Sequence, residues 1–418
     1  MSFHETLKAE LARIDSAGTT KREELVFEGF SHETGHAPQA LIKGKKFSIF
    51  NSNDYLGLRF HEALRKGEEE ASKAFGSGPG AVRFISGTLK VHYDLEQALA
   101  KFHGREAGMI FSSAFATSLA VIQCFIKGQA KDTKVSDQTL VVSDELNHRC
   151  IIDGIRVANL PKDNRMVFKH LDLEDFRRIL SENKGKFKRA VAVTDGIFSM
   201  LGEYQDLKKF QEIAKSFEKD FEEGVVTIVD DSHGIGAFGK TGRGVEEFCH
   251  AKCDLLIGTL GKGLGADGGY VVGDKLMIDY LREAAPTYIY SNPVSPGTAG
   301  AGLASVHLVE SQEGRRLIEN LHANIAAFKK KMKEAGFTFA ADSLHAVQPI
   351  LIGESVKCRN FAKALFEEGF IVTNLSYPIV PPGKDEIRVQ ISAAHTEKDI
   401  EEFISVAVKA GKKTGVLG

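Results

Sequence analysis

Between about residues 60 and 290 the chain alternates short apolar runs with amphipathic stretches. The runs GMIFSS, TLVVSD, RAVAVTDG, GVVTIVDD, CDLLIGTLG and GGYVVGD have strand length, and stretches such as YDLEQALAKFHG and LKKFQEIAKSFEKDF separate them with helical spacing. Continuous apolar strands between helices predict a mainly parallel sheet covered on both faces. Ahead of this block, Phe3, Leu7, Leu11 and Ile14 predict a short amphipathic helix over residues 2–15. A polar stretch then runs to about residue 40, and LIKGKKFSIFNSNDYLGL reads as strands and a turn. After SNPVSPGTAG a long amphipathic stretch leads into the strand-like runs AVQPILIG, FIVTNL and EIRVQIS and a last helix from Thr396. The expected organisation is an N-terminal segment (1–55), a large α/β domain (56–293) and a smaller C-terminal α+β domain (294–418).

Composition narrows the partners. A net charge of -2 over 418 residues argues against a nucleic-acid or anionic-membrane binder, which needs a basic excess. The acidic N-terminus lacks an apolar leader segment and no run of about 18 apolar residues occurs, so a soluble, cytoplasmic protein is expected. Five scattered cysteines make no disulfide framework, and Cys249-His250-x-x-Cys253 lacks a second ligand pair for a structural metal.

Ligands of open α/β sheets sit beyond the carboxyl ends of the strands. Those ends carry Asp144, Asn147 and His148; Asp195 and Ser199; Asp230, Asp231, Ser232 and His233; and Thr259 and Lys262. Eleven of the 41 glycines also fall within 231–270, which points to close backbone approach there. Gly234-x-Gly236-x-x-Gly239 matches the dinucleotide fingerprint formally, but KTGRG continues the loop where a helix should open. Gly258-x-x-Gly261-Lys262 is too short for a phosphate-binding Walker loop, and Gly263 replaces the required hydroxyl residue. What remains is a lysine between glycines at a strand end, about thirty residues beyond a strand-end aspartate. A desolvated lysine forms Schiff bases, and pyridoxal phosphate needs both that lysine and an acid against its ring nitrogen.

TLGKGLGADGGY at 259–270 resembles the Schiff-base loop of the α-oxoamine synthases, fold-type I pyridoxal phosphate enzymes that join an amino acid to an acyl-coenzyme A. The resemblance extends through SNDYLGL at 52–58, VRFISGT at 82–88, DELNHRCIIDGIR at 144–156, TDGIFSM at 194–200, VDDSHGIGAFGKTGRG at 229–244, YSN at 290–292 and IRVQISAAHT at 387–396. It implies that Lys262 holds the cofactor and later transfers protons, that Asp230 pairs with the pyridinium nitrogen, and that His233 and Ser199 lie near the phenolic oxygen. It further implies that His148 stacks on the ring and that Ala114, Phe115 and Thr259 receive the phosphate. Ser291 and Asn292 would reach that phosphate from the neighbouring subunit of a homodimer, and Arg388 with Asn53 would bind the amino acid's carboxylate. Lys21 and Arg22 are candidates for coenzyme A phosphates, with a solvated surface pair as the simpler reading.

Within the family, Phe84 and the closing KKTGVLG are most similar to the 2-amino-3-ketobutyrate coenzyme A ligases. The activity this implies is condensation of glycine with acetyl-coenzyme A, as a glycine C-acetyltransferase of threonine catabolism, with a threonine dehydrogenase as a candidate partner. The alternatives are a decarboxylating relative of the 8-amino-7-oxononanoate or 5-aminolevulinate synthase type and, from another class, an aminotransferase. Leu201 stands where the family usually has an aspartate, and the stretches 127–138 and 216–224 are longer than usual.

Overall fold

The computed structural model describes residues 2–17, 20–377 and 380–418. Its largest element is a seven-stranded sheet in the order Ala107–Phe111, Gly269–Gly273, Leu255–Thr259, Val225–Asp230, Arg189–Asp195, Thr139–Asp144 and Arg165–Phe168. Six of these strands are the predicted apolar runs; the edge strand Arg165–Phe168 was not among them. Its burial does not alternate and only Phe168 is buried, so period and hydrophobicity leave little signal there. The pairing from Leu255–Thr259 through Arg165–Phe168 is parallel, whereas Gly269–Gly273 runs antiparallel to both neighbours. The sheet is therefore mixed. The strands Thr139–Asp144, Arg189–Asp195 and Leu255–Thr259 are buried at every position, as expected for a sheet with helices on both faces.

The smaller sheets bind the two ends of the chain together. Gly29–Ser31, Gln39–Ile42 and Lys45–Ile49 form one sheet, which Phe370–Ile371 completes by parallel pairing with Lys45–Ile49. Val347–Leu351, Glu386–Gln390 and Thr373–Leu375 form the other, with Glu386–Gln390 in the centre. The run FIVTNL, expected as one strand, is thus divided between two sheets at Val372. The amphipathic stretch after SNPVSPGTAG likewise divides, into helices Pro296–Glu310 and Gln312–Glu334, at Ser311, whose hydroxyl caps the second helix. The last helix, Glu397–Thr414, starts at Thr396 with a reciprocal capping box to Asp399. The N-terminal helix spans Phe3–Ser16 and buries no residue.

The loop after Val225–Asp230 answers the question raised by its glycines. It continues to Gly244 before the five-residue helix Val245–Cys249 begins, so the dinucleotide geometry is absent. Gly236 (φ +81°) lies against Gly263 of the lysine loop, where an added Cβ on Gly263 would stand 2.5 Å from the Ile235 carbonyl oxygen. The two glycines let one loop rest directly on the other, which fixes the height of Lys262 above the sheet.

Gly263→Ala should therefore separate the two loops at a cost of roughly 1–3 kcal/mol, the usual penalty of overpacking, and weaken cofactor retention. Gly78→Ala, where an added Cβ meets nothing within 4 Å, serves as the control. Thermal unfolding of the two variants checks this, and an equal melting temperature for both would refute it.

Candidate active site

The carboxyl ends of four parallel strands bring the candidate acids to one edge. Asp195 and Asp230 are register partners on neighbouring strands. Each acid is held differently. Asp230 accepts from Ser118 Oγ at 3.0 Å and from Cys150 Sγ at 3.6 Å through Oδ2, and from the Ser232 N–H at 3.1 Å through Oδ1. Asp195 accepts the His148 backbone N–H at 2.8 Å, and burial followed by the charge of Asp230 pushes its carboxyl well above the usual range. Asp144 is occupied structurally, accepting from the Leu146 and Leu171 N–H groups and pairing with His170 Nδ1 at 2.9 Å. His170 is also bonded to Glu203 at 3.1 Å; burial opposes its charge, but these two carboxylates raise it to about 9.

Lys262 follows the buried strand Leu255–Thr259 on the glycine loop. Among the described residues its amine makes no hydrogen bond or ion pair. Burial lowers it to about 8, with the charges of Asp230 and Asp195 opposing and that of Arg388 reinforcing the shift. The lysine is thus close enough to feel both acids without being neutralised by either, the state required of a nucleophilic amine near neutral pH.

His148 caps the helix Arg149–Val157, its Nδ1 accepting the Cys150 N–H at 3.3 Å and lying 2.9 Å from Cys150 Sγ. Asn147, buried beside it, bonds the Val193 carbonyl and the Asp195 N–H, locking the turn to the neighbouring strand. His233 is buried, and desolvation, then the charges of Lys262 and Arg388, hold it well below its ordinary value. Its Nδ1 meets the Tyr55 hydroxyl at 2.7 Å.

The helix Ala114–Ile126 opens at the same edge. Ser113 caps it by accepting the Ala116 N–H at 3.1 Å, and the Ala114 and Phe115 N–H groups have no partner among the described residues. Gly269 makes this possible, since an added Cβ would stand 2.4 Å from the Ala114 nitrogen. Two free N–H donors at a helix N-terminus suit a dianion. Thr259, buried nearby, directs its hydroxyl at the Gly268 carbonyl (3.0 Å) and accepts the Gly261 N–H (3.1 Å), so its hydrogen is already engaged.

Arg388 lies in the centre of the small sheet, opposite Pro349 and Thr373. Among the described residues no carboxylate lies within ion-pair distance of it; Nη1 reaches Gln390 Oε1 at 3.4 Å, and the buried Nε has no partner. A structural salt bridge, the plain alternative for an arginine in such a strand, is therefore missing. Asn53 accepts through Oδ1 from Gln390, and the same oxygen lies 3.1 Å from the Tyr55 hydroxyl; among the described residues its own N–H donors are free.

Other candidates stand apart. Ser199 lies half-buried at the start of the tight turn in which the Gly202 N–H bonds the Phe198 carbonyl at 2.9 Å. Gly202, beside Leu201, also accepts at its carbonyl from Ser343 Oγ at 2.9 Å, so this turn is tied through its backbone to a distant serine. Ser291 and Asn292 follow the short helix Pro286–Ile289 beside the exposed Tyr290 and make no side-chain hydrogen bond among the described residues. Lys21 and Arg22 are exposed, and Arg22 pairs with Asp15. Sequence reasoning passed over Tyr55, Ser118, Cys150 and Gln390. Tyr55 is fully buried within SNDYLGL, and a tyrosine amid polar residues was the one available signal.

The residues present fit pyridoxal phosphate: an unpaired amine, a buried acid with its oxygens aligned, free helix N–H groups and an arginine with an unsatisfied Nε. Comparison with known proteins agrees. The family model for aminotransferase class I and II matches residues 45–406. An 8-amino-7-oxononanoate synthase of Thermosipho melanesiensis is 38% identical over 90% of this chain and 91% of its own length. Another, from Petrotoga mobilis, is 35% identical over the full length of both. A serine palmitoyltransferase from S. paucimobilis, solved with PLP and myriocin bound, superposes with a TM-score of 0.85 at 26% identity over 99% of this chain and 98% of its own. The names of these relatives favour an 8-amino-7-oxononanoate type of synthase over the expected glycine C-acetyltransferase, and none of them supports a threonine dehydrogenase partner. With the motif, the fold and these relatives in agreement, the chain belongs to the class I and II aminotransferase family and, within it, to the pyridoxal phosphate-dependent α-oxoamine synthases.

Proposed function

We propose that the enzyme condenses a small amino acid, alanine foremost, with a dicarboxylic acyl thioester of the pimeloyl type, releasing the thiol and carbon dioxide to leave an amino ketone. The observation that carries the amino-acid half is Arg388, a largely buried guanidinium with no carboxylate of its own and an unsatisfied Nε. Desolvating such a charge costs several kcal/mol unless an anion arrives. The acyl half rests on the names of the curated relatives.

Pyridoxal phosphate, when bound, supplies an electron-withdrawing ring that stabilises negative charge at the amino acid's Cα. Lys262 would hold its carbonyl end, Asp230 its ring nitrogen, His233 and Ser199 its phenolic oxygen, and the Ala114 and Phe115 N–H groups its phosphate; Thr259 would join them only by turning its hydroxyl away from the Gly268 carbonyl. His148 would lie against the ring face. Asp230 would keep a proton on that nitrogen, its own oxygens being aligned by Ser118, Cys150 and the Ser232 N–H. Arg388 fixes the carboxylate in a bidentate fork, assisted by the free amide of Asn53, and so presents Cα to the Lys262 amine. That amine would take the Cα proton; Cα would then attack the thioester carbonyl, the new C–C bond forming as the C–S bond breaks and the thiolate leaves, after which the bond from Cα to the carboxylate breaks, carbon dioxide departs and Lys262 returns its proton to Cα to give the amino ketone. Ser291 and Asn292 would complete the phosphate site of a second subunit, so the working unit is a homodimer.

A second reading keeps glycine and acetyl-coenzyme A. Phe84 stands 63% exposed on a short helix whose Arg83 is pinned by both oxygens of buried Glu96. A phenylalanine held at that position would shorten the room for an acyl chain.

A panel of glycine, alanine and serine against acetyl-, succinyl-, pimeloyl- and palmitoyl-thioesters separates the readings. Alanine with the pimeloyl thioester, yielding carbon dioxide, is the expected best pair; a clear preference for glycine and acetyl with the carboxylate retained would overturn it. Arg388→Lys loses the fork and, at about 1.5–3 kcal/mol for hydrogen bonds to a charged group, should raise KM for the amino acid roughly 10- to 150-fold while the cofactor still binds. Finally, since Lys262 lies at about 8 rather than near its ordinary ~10.4, its neutral fraction grows as pH rises through 8. The rate at which the chain takes up pyridoxal phosphate should climb with a midpoint near that value; stopped-flow absorbance showing a rise that continues to about pH 10 would contradict the burial argument.

A further inference from the structure

A continuous line of side-chain hydrogen bonds joins the two ends of the site. Arg388 Nη1 donates to Gln390 Oε1 at 3.4 Å, Gln390 Nε2 donates to Asn53 Oδ1, and the Tyr55 hydroxyl stands 3.1 Å from the same Asn53 oxygen and 2.7 Å from His233 Nδ1. His233 is held from its other side, where His345 Nε2 donates to the His233 carbonyl at 2.8 Å while His345 Nδ1 accepts the Val347 N–H. The His345 ring also meets the Tyr55 ring edge-on at 4.9 Å. Neither ring can turn without breaking one of these contacts.

Tyr55 has a single hydroxyl hydrogen and two acceptors within reach. Asn53 Oδ1 already takes an N–H from Gln390, whereas His233 Nδ1 has no other partner among the described residues and is the nearer. We propose that Tyr55 is a positioning residue: its hydroxyl donates to His233 Nδ1, which leaves the His233 hydrogen on Nε2, facing the phenolic oxygen of the cofactor, and Gln390 and Asn53 link that arrangement to the occupancy of Arg388. The link to Arg388 rests on the proposed carboxylate site; the tautomer of His233 does not.

The charges around His233 agree with a neutral ring. Lys262, Arg388, His345 and His148 all disfavour its protonated form, on top of full burial. Tyr55 is itself buried, which pushes its phenol up to about 12, so the hydroxyl keeps its hydrogen across the working range. A neutral imidazole between a hydroxyl and the cofactor can donate to only one of them. When a carboxylate binds Arg388 and the free Asn53 amide, Asn53 Oδ1 shifts, and the share of the Tyr55 hydrogen that His233 receives shifts with it.

The test combines three measurements. On wild-type protein labelled with 15N-histidine, the His233 signal, assigned through His233→Asn, should show Nδ1 as an unprotonated acceptor and Nε2 as the N–H; the reverse tautomer would overturn the proposal with no variant needed. In Tyr55→Phe holoenzyme the pH midpoint of the bound cofactor's visible band, read without amino acid, should move up by about one unit or more, because Nε2 no longer donates reliably to the phenolic oxygen. The turnover number should fall at least tenfold with KM for the thioester unchanged. In a His233→Asn background Tyr55→Phe should add nothing to either effect, whereas additive losses would show that Tyr55 acts by packing alone and would refute the proposal. If Arg388→Lys leaves amino-acid affinity unchanged, the carboxylate reading fails while the tautomer and band measurements still decide the role of Tyr55.

Discussion

The amine of Lys262 is the constraint around which the rest of the site is arranged. An amine without a partner inside a protein is costly in its charged form, and the chain meets that cost by lowering its affinity for a proton rather than by pairing it. For this to work, acids must be near enough to matter yet already committed. Asp230 is committed to Ser118, Cys150 and the Ser232 N–H, and Asp195 to the His148 N–H. Either acid released from those contacts could close on the lysine and end its use as a nucleophile. The hydrogen bonds that look like mere support are therefore what keep the amine available.

Two acids on adjacent strands would ordinarily repel. Here the conflict is resolved by difference: Asp195 is pushed well upward by burial and by Asp230. One acid is the one proposed for the ring nitrogen, while its neighbour accepts the His148 N–H and holds a turn. Pairs of titratable groups driven apart by their surroundings are the usual mark of a catalytic centre.

The site also depends on a junction between distant parts of the chain. Lys262, Asp230 and His233 belong to the large sheet; Arg388 and Gln390 belong to the small one. Residues 50–55 join them, with the Gln390 N–H bonding the Phe50 carbonyl at 2.7 Å, the Ala393 N–H bonding the Tyr55 carbonyl at 2.7 Å and Ser392 Oγ bonding the Asp54 carbonyl at 2.9 Å. A shift of the small sheet would carry Asn53 and Tyr55 with it. The proposed carboxylate site at one end and the proposed cofactor site at the other consequently share one mechanical connection.

The apolar runs of the large sheet, the amine between glycines and the acids at strand ends could all be read directly, because strand burial and strand-end chemistry are written in short contiguous segments. The division of FIVTNL between two sheets could not, since Phe370–Ile371 is claimed by Lys45–Ile49, more than 300 residues earlier. Nor could the role of the glycines at 236 and 263, which face each other rather than a phosphate. The sequence by itself determined the cofactor chemistry and the family, since both depend on which residue types sit at which local spacing. Packing alone shows that Arg388 has no carboxylate within ion-pair distance among the described residues, that the Thr259 hydrogen is already engaged and that Tyr55 reaches His233. Those facts are set by packing between segments far apart in the chain, where a few tenths of an ångström separate a hydrogen bond from a contact.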